Sequence, residues 1–463
     1  MNLENINLIK RGAFAKNPFN LNLLNDSLFK KENTLRSHRI ATSVFFFIAG
    51  LTFATWASRI PAIQAKLHLS DGALGGVLFA LPAGLMLSLP LSGWLVSKYG
   101  SKPMMITGSI FYPSILLLLG TSPNVIQLVI SLFAFGVMGN LTNISMNTQA
   151  VGVESLYGRS IMASFHGLWS IAGFTGALVG GIFVSANVPP IIHFSIITIS
   201  SIVLVFLFFK NALPEDIGIR EPQKLFVKPD RKILILGLIA FCCLLSEGAM
   251  ADWSGVYFKK IVEAPVSMIT LGYVAFTAMM ATGRFVGDSL VNKLGVKKLL
   301  RISGSLITSG LLLSVGFPYI VTATLGFLLV GFGVSSVVPI VYGLAGKSKT
   351  MAPGTALASV STIGFLGFLI GPPIIGFIAQ AISLRWSFTL IAILGFGTAL
   401  LAGKINSKKD EADNDDKQNH LSNNSGGGFI PWPETLFSSI ENDENVIHGR
   451  TRGGGYVAYP KMS

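Results

Sequence analysis

Charged side chains are scarce in this 463-residue sequence, in which Asp, Glu, Lys and Arg together make up 12% of the residues. A soluble domain usually carries about twice that share, roughly 25%. The windows 40–58, 104–120 and 188–209 contain none of these four residue types. Because a helix crosses the bilayer core with about 20 consecutive apolar residues, this distribution excludes an ordinary soluble domain and predicts a membrane protein.

Cysteines and enzyme signatures are also nearly absent. The two cysteines, Cys242 and Cys243, are adjacent within one apolar window, so they cannot form a disulfide framework. The nucleophile-elbow, Walker A, dinucleotide-binding and zinc-protease motifs do not occur. We therefore expect a protein that is not an enzyme, that uses no cofactor or metal, and that is not driven directly by ATP.

What the sequence does contain is a series of long apolar windows. They are too long and too uniformly apolar for the alternating strands of about ten residues that build outer-membrane barrels. They predict an all-α polytopic membrane protein with twelve transmembrane helices in two pseudo-symmetric six-helix bundles. The windows are 40–58, 72–97, 103–120, 125–148, 160–184, 189–209, 232–256, 268–291, 299–316, 319–345, 354–380 and 385–403.

The basic residues are placed unevenly, although they give the chain a net charge of +13. Lys and Arg are concentrated in alternate short loops and in both terminal tails, as is typical of the cytoplasmic side of a membrane protein. We attribute the basic excess to topology and expect no nucleic-acid partner. The predicted location is the cell membrane, or the inner membrane if the source is bacterial, with both termini cytoplasmic and lipid around the helices.

A polar segment at 210–231 divides the apolar windows into six and six. We predict helical bundles at 39–209 and 232–403, a cytoplasmic loop at 210–231, and cytoplasmic tails at 1–38 and 404–463 that are disordered because their polar composition cannot form a core. The two halves share residues at a constant offset. The matched positions include Lys98, Gly100 and Gly136 with Lys293, Gly295 and Gly331. Such a repeat is typical of secondary transporters, whose solute site lies between the two halves.

The loop between the second and third windows reads GWLVSKYGSKP, residues 93–103. Its glycines and lysines fit the corresponding loop motif of the major facilitator superfamily, although Ser97 stands where that motif has Asp. The stretches SRIPAIQAKLHLSDGALG, NTQAVGVE, SFHGLWS and EGAMADWS resemble the MosC-like branch of bacterial major facilitators. Over residues 40–403 the resemblance implies the major facilitator fold and a transporter whose helices 1, 4, 7 and 10 line a central cavity.

Four charged residues lie inside the predicted helices 7 and 8, namely Glu247, Asp252, Arg284 and Asp288. Ionised groups in hydrocarbon are costly, so such residues usually face a cavity or a partner. Glu247 is the deepest, and it either binds protons or solute or forms a structural bond. No Lys or Arg lies at its expected depth in helices 1, 4, 5, 10 or 11. We therefore expect a neutral Glu247 in the closed site and predict that it couples transport to protons.

The remaining charges are candidate gating residues. Arg59 and Asp252 lie near the ends of helices 1 and 7 at equivalent places in the repeat, and we predict that they approach each other when the cavity faces inward. Asp252 is expected near the outer surface beside Trp253, because tryptophan is typical of the membrane interface. Arg284 and Asp288 are four residues apart on one helix face and can pair with each other, as a gate or an anchor.

Polar side chains in helices 4 and 5 are the candidate solute ligands. Asn140, Asn143 and Asn147 recur every three or four residues, which places the three amides on one helix face. They either hydrogen-bond a polar solute or join neighbouring helices. His166 and Trp169 follow in helix 5, where a histidine can titrate near neutral pH or serve only in packing.

Together these features predict a secondary transporter that moves a small polar solute by alternating access, with proton coupling through Glu247 as an open question. The alternative is a membrane sensor that binds a solute without transporting it. The expected partners are the solute, protons if transport is coupled to them, and membrane lipid.

Overall fold

The computed structural model describes residues 20–159, 161–216, 229–348, 350–405, 446–450 and 456–460. The chain divides into two compact units, one ending at Ile405 and one beginning at Asn406. Predictions for residues 1–19, 217–228 and 406–445 lie outside the described residues.

Helical spans account for almost all of the first unit. Within the described residues, eleven helices are long and apolar enough to cross a membrane, and a bent pair makes a twelfth span. Spans 1 to 6 are Asn20–Lys66; Asp71–Leu78 with Ala80–Leu87 and Leu89–Tyr99; Ser101–Thr121; Val125–Tyr157; Met162–Ser185; and Pro190–Phe208. Spans 7 to 12 are Arg231–Lys260; Leu271–Leu294; Val296–Gly316; Ile320–Ser335 with Val337–Ala345; Pro353–Ala381; and Leu384–Ala402. The prediction of a polytopic helical protein is confirmed.

Span 2 bends by 41° where its last helix, Leu89–Tyr99, begins. Pro90 lies in the first turn of that helix. Proline has no N–H to donate to the preceding turn and its ring crowds the carbonyl there, so a helix breaks or kinks at this point. The two ends of span 2, on either side of the bend, contact different helices: the first end contacts span 11, and the last contacts spans 3 and 4.

Two glycines make the tight turns that end spans 2 and 8. Gly100 has a φ of 86° and Gly295 a φ of 76°. Side chains other than glycine rarely adopt this region. The two glycines are matched by the internal repeat, so the same turn occurs at the same place in each half.

Each set of six spans forms one lobe, and the two lobes are built alike. In the first lobe span 1 packs on span 5, span 2 on span 4, and span 3 on spans 4 and 6. In the second lobe span 7 packs on span 11, span 8 on span 10, and span 9 on spans 10 and 12. Small residues permit the close contacts: a Cβ on Gly176 would lie 2.9 Å from the Leu51 carbonyl oxygen, and one on Gly367 would lie 2.6 Å from that of Phe241.

The lobes meet along three pairs of spans, 1 with 7, 2 with 11, and 5 with 8. Span 2 contacts span 11 mainly through its first helix, Asp71–Leu78, where the two backbones touch. A Cβ on Gly75 would lie 2.6 Å from the Pro372 carbonyl oxygen, and one on Gly376 would lie 2.6 Å from that of Asp71. The last helix of span 2, Leu89–Tyr99, packs instead on spans 3 and 4 of its own lobe.

The segment after span 6 is attached to the first lobe, although it was predicted to be part of a loop. The side-chain amide of Gln149 forms two hydrogen bonds with the backbone of Leu213. It accepts one from the Leu213 N–H (2.8 Å) and donates one to the Leu213 carbonyl oxygen (3.1 Å). Asp216 accepts bonds from the backbone N–H (3.0 Å) and the hydroxyl of Ser101. A carboxylate is favourable at this N-terminus of span 3. Asp216 thus places an acidic group near the turn where Ser97 replaces the expected aspartate.

Both predicted tails contain regular secondary structure within the described residues. Span 1 begins at Asn20, so residues 20–38 of the predicted N-terminal tail belong to this helix. In the second unit, Val446–Arg450 (β1) and Tyr456–Pro460 (β2) form an antiparallel pair in which Val446 faces Pro460. These segments contain valine, isoleucine and tyrosine, which favour strands, whereas the rest of the 404–463 tail is dominated by polar residues and glycine.

Candidate functional site

A polar cluster lies between the lobes, near the middle of the 30-residue span 7. Arg284 of span 8 places its Nη2 atom 3.7 Å from Oε1 of Glu247 in span 7. Its Nη1 atom donates a 2.6 Å hydrogen bond to Ser170 Oγ in span 5. The guanidinium also lies 5.5 Å from the centre of the Trp169 ring, in cation–π range. Arg284 therefore contacts both lobes at once.

Local sequence explains why the arginine points toward this interface. Gly283 and Gly287 flank Arg284 on span 8, and both face serines of the segment where span 10 is interrupted. A Cβ on Gly283 would lie 2.2 Å from Ser335 Oγ, and one on Gly287 would lie 2.8 Å from Ser336 Oγ. The glycine face is therefore occupied by span 10, which leaves the long side chain of Arg284 to extend toward spans 5 and 7.

This geometry corrects two predictions. Arg284 was expected to pair with Asp288, but its ionic partner is Glu247, and Asp288 is exposed. Glu247 was expected to have no cation at its depth in spans 1, 4, 5, 10 or 11, but span 8 supplies one, Arg284. With a guanidinium 3.7 Å away and a side chain that is 13% exposed, the ionised form of Glu247 has a favourable partner.

A second polar group joins the lobes where spans 2, 7 and 11 meet, and we call it the terminal clamp. Lys260, at the end of span 7, lies 2.6 Å from Oδ1 of Asp71, at the start of span 2. Gln64 Nε2 donates to the same oxygen at 2.9 Å. Gln380 of span 11 accepts 2.9 Å bonds from the Ser70 hydroxyl and from the Gly72 N–H. The terminal clamp comprises Gln64, Ser70, Asp71, Gly72, Lys260 and Gln380.

The terminal clamp was not predicted from the sequence. Asp71 follows the N-cap Ser70 of span 2, and Lys260 ends span 7. The two charges are opposite in sign and lie at span ends on the same predicted side of the membrane. Their matched depth and opposite charge are the same signals that led to the predicted pair of Arg59 and Asp252.

The predicted pair of Arg59 and Asp252 is not formed in this conformation. Arg59 is 3% exposed, and its Nε donates to His193 Nδ1 of span 6 at 3.1 Å, inside the first lobe. Asp252 belongs to neither of the ion pairs found among the described residues. Trp253, predicted near the membrane interface, is fully buried. The reason is that span 7 lies in the middle of the second lobe and is covered on most sides, including its outer end.

The three asparagines of span 4 do not share one environment. Asn140 is 1% exposed, and its Nδ2 donates 3.1 Å bonds to Ser88 and Ser92 of span 2. It therefore joins two helices and does not reach a cavity here, which corrects the prediction at this position. Asn143 is exposed and Asn147 is half-buried, and Asn147 Nδ2 donates to Asn143 Oδ1 at 2.9 Å.

Two ring residues of span 5 complete the region between the lobes. His166 is exposed, with its ring edge-on to that of Phe46 at 5.3 Å. Trp169 is half-buried and lies 6.4 Å from Phe53 of span 1, centroid to centroid. Within the described residues, no group of three or more His, Cys, Asp or Glu side chains is arranged to hold a metal ion.

Comparison with known proteins identifies the family. The sequence model of the Major Facilitator Superfamily matches residues 42–352 and 266–441. The chain belongs to the major facilitator superfamily. Its two alike lobes, the shared turns at Gly100 and Gly295, and a polar cluster between the lobes all lie within the matched region.

Two bacterial relatives are similar over most of the chain. An uncharacterised MFS-type transporter of Yersinia pestis is 37% identical over 365 residues, covering 77% of this chain and 93% of the relative. Membrane protein MosC of Rhizobium meliloti is 32% identical over 357 residues, covering 77% and 87%. These identities support the assignment to the MosC-like branch.

Solved major facilitator structures share the fold at low sequence identity. A bacterial homologue of the human lysosomal transporter Spinster, in an inward-facing and unoccupied conformation, aligns with a TM-score of 0.65 at 13% identity, over 80% of this chain and 96% of that one. A D-xylose–proton symporter aligns with a TM-score of 0.64 at 14% identity, over 80% and 98%. The major facilitator fold of this chain is thereby confirmed.

Proposed function

We propose that this major facilitator is a secondary transporter that moves a small polar solute across the cell membrane by alternating access. The observation that carries the proposal is the cluster in which Arg284 bridges Glu247 of one lobe and Ser170 and Trp169 of the other. When two lobes rotate about an interface, groups shared between them exchange partners. A solute site that is exposed to one side of the membrane at a time requires such groups.

The terminal clamp supports a conformation that is closed on one side. The distribution of Lys and Arg predicts that the ends carrying Asp71 and Lys260 face the outside. On that side the backbones of spans 2 and 11 touch at Gly75 and Gly376. At the other end of span 2, the main contacts of Leu89–Tyr99 are with helices of its own lobe. These contacts support our proposal of an inward-facing state with a closed outer gate.

Asn143 and Asn147 are the best-placed solute ligands of span 4. Successive residues of a helix are rotated by about 100°, so these two lie between the face of Asn140, which contacts span 2, and the face of Met146, which packs with Phe45 of span 1. Spans 1 and 2 both contact the second lobe. We propose that the solute binds between these two faces, within reach of Glu247 and Arg284 and near His166 and Trp169.

Glu247 is the proposed proton-coupling residue. When it is ionised, it pairs with Arg284, which also holds the other lobe. When it is protonated, that ionic contact is lost and Arg284 keeps only Ser170 and Trp169. Protonation thereby changes the contacts between the lobes, which is how a proton gradient could drive solute movement.

The test of this function is counterflow in proteoliposomes. A thermal-shift screen against sugars, sugar acids and amino acids first identifies a solute that stabilises the purified protein. Unlabelled solute inside the vesicles should then drive uptake of labelled solute. Binding without counterflow would contradict the proposal and would identify a solute sensor.

The terminal clamp gives an independent test of alternating access. In the double variant Asp71→Cys/Lys260→Cys, a bifunctional thiol cross-linker with a reducible spacer should hold the outer side closed and stop counterflow, and a reductant should restore it. The two native cysteines, Cys242 and Cys243, are buried within span 7. The single variant Asp71→Cys is the matched control, and its counterflow should not respond to the cross-linker. Full counterflow through the cross-linked protein would exclude movement at this gate.

A further inference from the structure

Arg284 has more hydrogen-bond donors than the described residues use. A guanidinium carries five N–H donors and stays charged at any physiological pH. Within the described part of the chain, one of them forms a hydrogen bond, to Ser170 at 2.6 Å. The Nε atom is buried without a partner among the described side chains. Trp169 covers one face of the group, and the side chain remains 19% exposed. The exposed edge therefore presents free donors.

The bond between Arg284 and Glu247 is a loose one. Charge-assisted N–H···O bonds are usually about 2.7–2.9 Å long, and an arginine binds a carboxylate best through two parallel bonds. The Glu247 contact is a single approach at 3.7 Å. Glu247 is fixed on span 7 and does not reach the bidentate position. A carboxylate that is free to move could occupy it.

Charge balance then decides which solute fits the site. A proton on Glu247 would leave the partly buried guanidinium of Arg284 without an anion, which is strongly unfavourable. A solute carboxylate on Arg284 removes that penalty. A neutral solute brings no anion, so Arg284 would still lack a partner when Glu247 is protonated. A cationic solute that paired with Glu247 would also leave Arg284 without an anion.

We propose that the solute is a small organic acid, whose carboxylate binds Arg284 in place of Glu247 while Glu247 takes up a proton from the same side. The inference rests on the transporter function proposed above and specifies its substrate class. Charge and protons balance: one solute anion and one proton enter the site, and both leave it on the other side of the membrane. Asn143 and Asn147 would then hydrogen-bond the remainder of the acid.

Other titratable groups surround this pair and must be considered in any pH experiment. Cys243 of the same span, Tyr273 of span 8 and Tyr342 of span 10 interact electrostatically with Glu247. His166 of span 5 interacts with Arg284. None of the four is an anion in its ordinary form near neutral pH, so none can replace a solute carboxylate as the partner of Arg284.

The experiment compares acids with neutral molecules of the same skeleton. The probes are gluconate against sorbitol, galacturonate against galactose, and lactate against propane-1,2-diol. At least one acid should stabilise the purified protein against heat, and its affinity should exceed that of the matched neutral probe by at least about tenfold. Binding should take up protons from a weakly buffered solution. Equal binding of a neutral probe, or no binding by any of the acids, would overturn the proposal.

Variants connect the effect to the two residues. Arg284→Gln should lose acid binding, whereas Arg385→Gln, which removes an exposed arginine that contacts the Val315 carbonyl, should retain it. Glu247→Gln removes the competing carboxylate, so it should bind the acid more tightly and without proton uptake. If Arg284→Gln does not fold, Glu247→Gln still tests the proposal. Weaker acid binding by Glu247→Gln would contradict the idea that Glu247 and the solute carboxylate compete for Arg284.

The two proposals can fail separately. Counterflow of a neutral or amine solute would leave the transporter function standing and overturn the acid class. An acid that binds as described without counterflow would support the site and overturn the transporter function.

Discussion

Arg59 and Arg284, two arginines of the membrane-spanning helices, lie in opposite settings. Arg59 is 3% exposed and donates to a neutral partner, His193, in its own lobe. Arg284 is 19% exposed, faces the carboxylate of Glu247 in its own lobe, and bonds Ser170 in the other. Both side chains are largely buried, yet only the contacts of Arg284 extend to both lobes.

Under the proposed alternating access, this difference would separate a structural charge from a functional one. The partner of Arg59 lies in the same lobe and would move with it. The partners of Arg284 lie in both lobes, so the proposed rotation of the lobes would change its environment. Depth in the membrane alone would not have distinguished the two residues, whereas the identity of their partners does.

The largest expected effect is on transport, from Arg284→Gln. Removing the guanidinium eliminates the shared contact and the proposed anchor for the solute, so counterflow should fall by at least about a hundredfold, the cost of losing one well-placed charged group. The measurement is initial-rate counterflow in proteoliposomes with Arg385→Gln as the control. Near-normal counterflow in Arg284→Gln would place both arginines in the structural class.

Arg59→Ala should lower the stability of the protein and leave its counterflow unchanged, the opposite of Arg284→Gln. Truncation leaves a cavity and removes the partner of the buried His193, and we expect a loss of about 2–4 kcal/mol in unfolding free energy. Protein that remains folded should retain counterflow, because His193 and Arg59 move as one body. Denaturant unfolding in detergent measures the loss, and a variant that is fully stable but inactive would contradict this assignment.

The same contrast applies to the asparagines of span 4. Asn143→Ala should weaken solute binding by about 1–3 kcal/mol, the usual cost of leaving a polar partner unsatisfied, with little change in thermal stability. Asn140→Ala should lower stability, because it removes bonds to Ser88 and Ser92, and it should leave affinity nearly unchanged. Isothermal titration and thermal unfolding of both variants provide the comparison, and a reversed pattern would count against the assigned solute groove.

Removing the charge of Asp230, at the start of span 7, should have the smallest effect on stability and transport. Asp230 caps span 7 by accepting from the Ile233 N–H at 2.8 Å and also accepts from Thr350 before span 11, and these bonds lower its pKa. Because the pKa is lowered on folding, its stabilisation is present above the usual value of about 3.9 and is lost as pH falls through the folded-state pKa.

Asp230→Asn keeps a good N-cap residue and removes the titration. At neutral pH its unfolding free energy should stay within about 0.5 kcal/mol of wild type, and the difference between the two proteins should narrow further in acid. Transport should be unaffected, since both partners belong to the second lobe. Melting temperatures recorded from neutral to acid pH test this, and a gap that widens in acid would be inconsistent with it.

The fold could be predicted from the sequence because its signals are local. Each signal can be recognised from a short stretch of sequence. These signals are the long apolar windows, the basic residues in alternate loops, and the glycines at 100 and 295. The attachment of Leu213 and Asp216 to the first lobe was not predictable in this way. It depends on Gln149 and Ser101, which are distant in sequence and come close only after the helices pack.

The sequence predicted several residues of the candidate site, but it did not predict which of them contact each other. Glu247 and Arg284 were both identified as intramembrane charges, but the i, i+4 rule assigned Arg284 to Asp288. That rule describes an isolated helix, whereas here span 10 covers the glycine face of span 8 and directs the arginine to spans 5 and 7. Similarly, the Asn140 amide fits the helical stripe, yet the contact between spans 2 and 4 buries it.

The most direct test of the account is the separation of exchange from accumulation in Glu247→Gln. A glutamine cannot exchange a proton, so counterflow of the identified solute should persist at a rate within about tenfold of wild type. Accumulation driven by an imposed pH gradient should disappear. Accumulation at the wild-type level in Glu247→Gln proteoliposomes would contradict the coupling role of Glu247 and its link to Arg284.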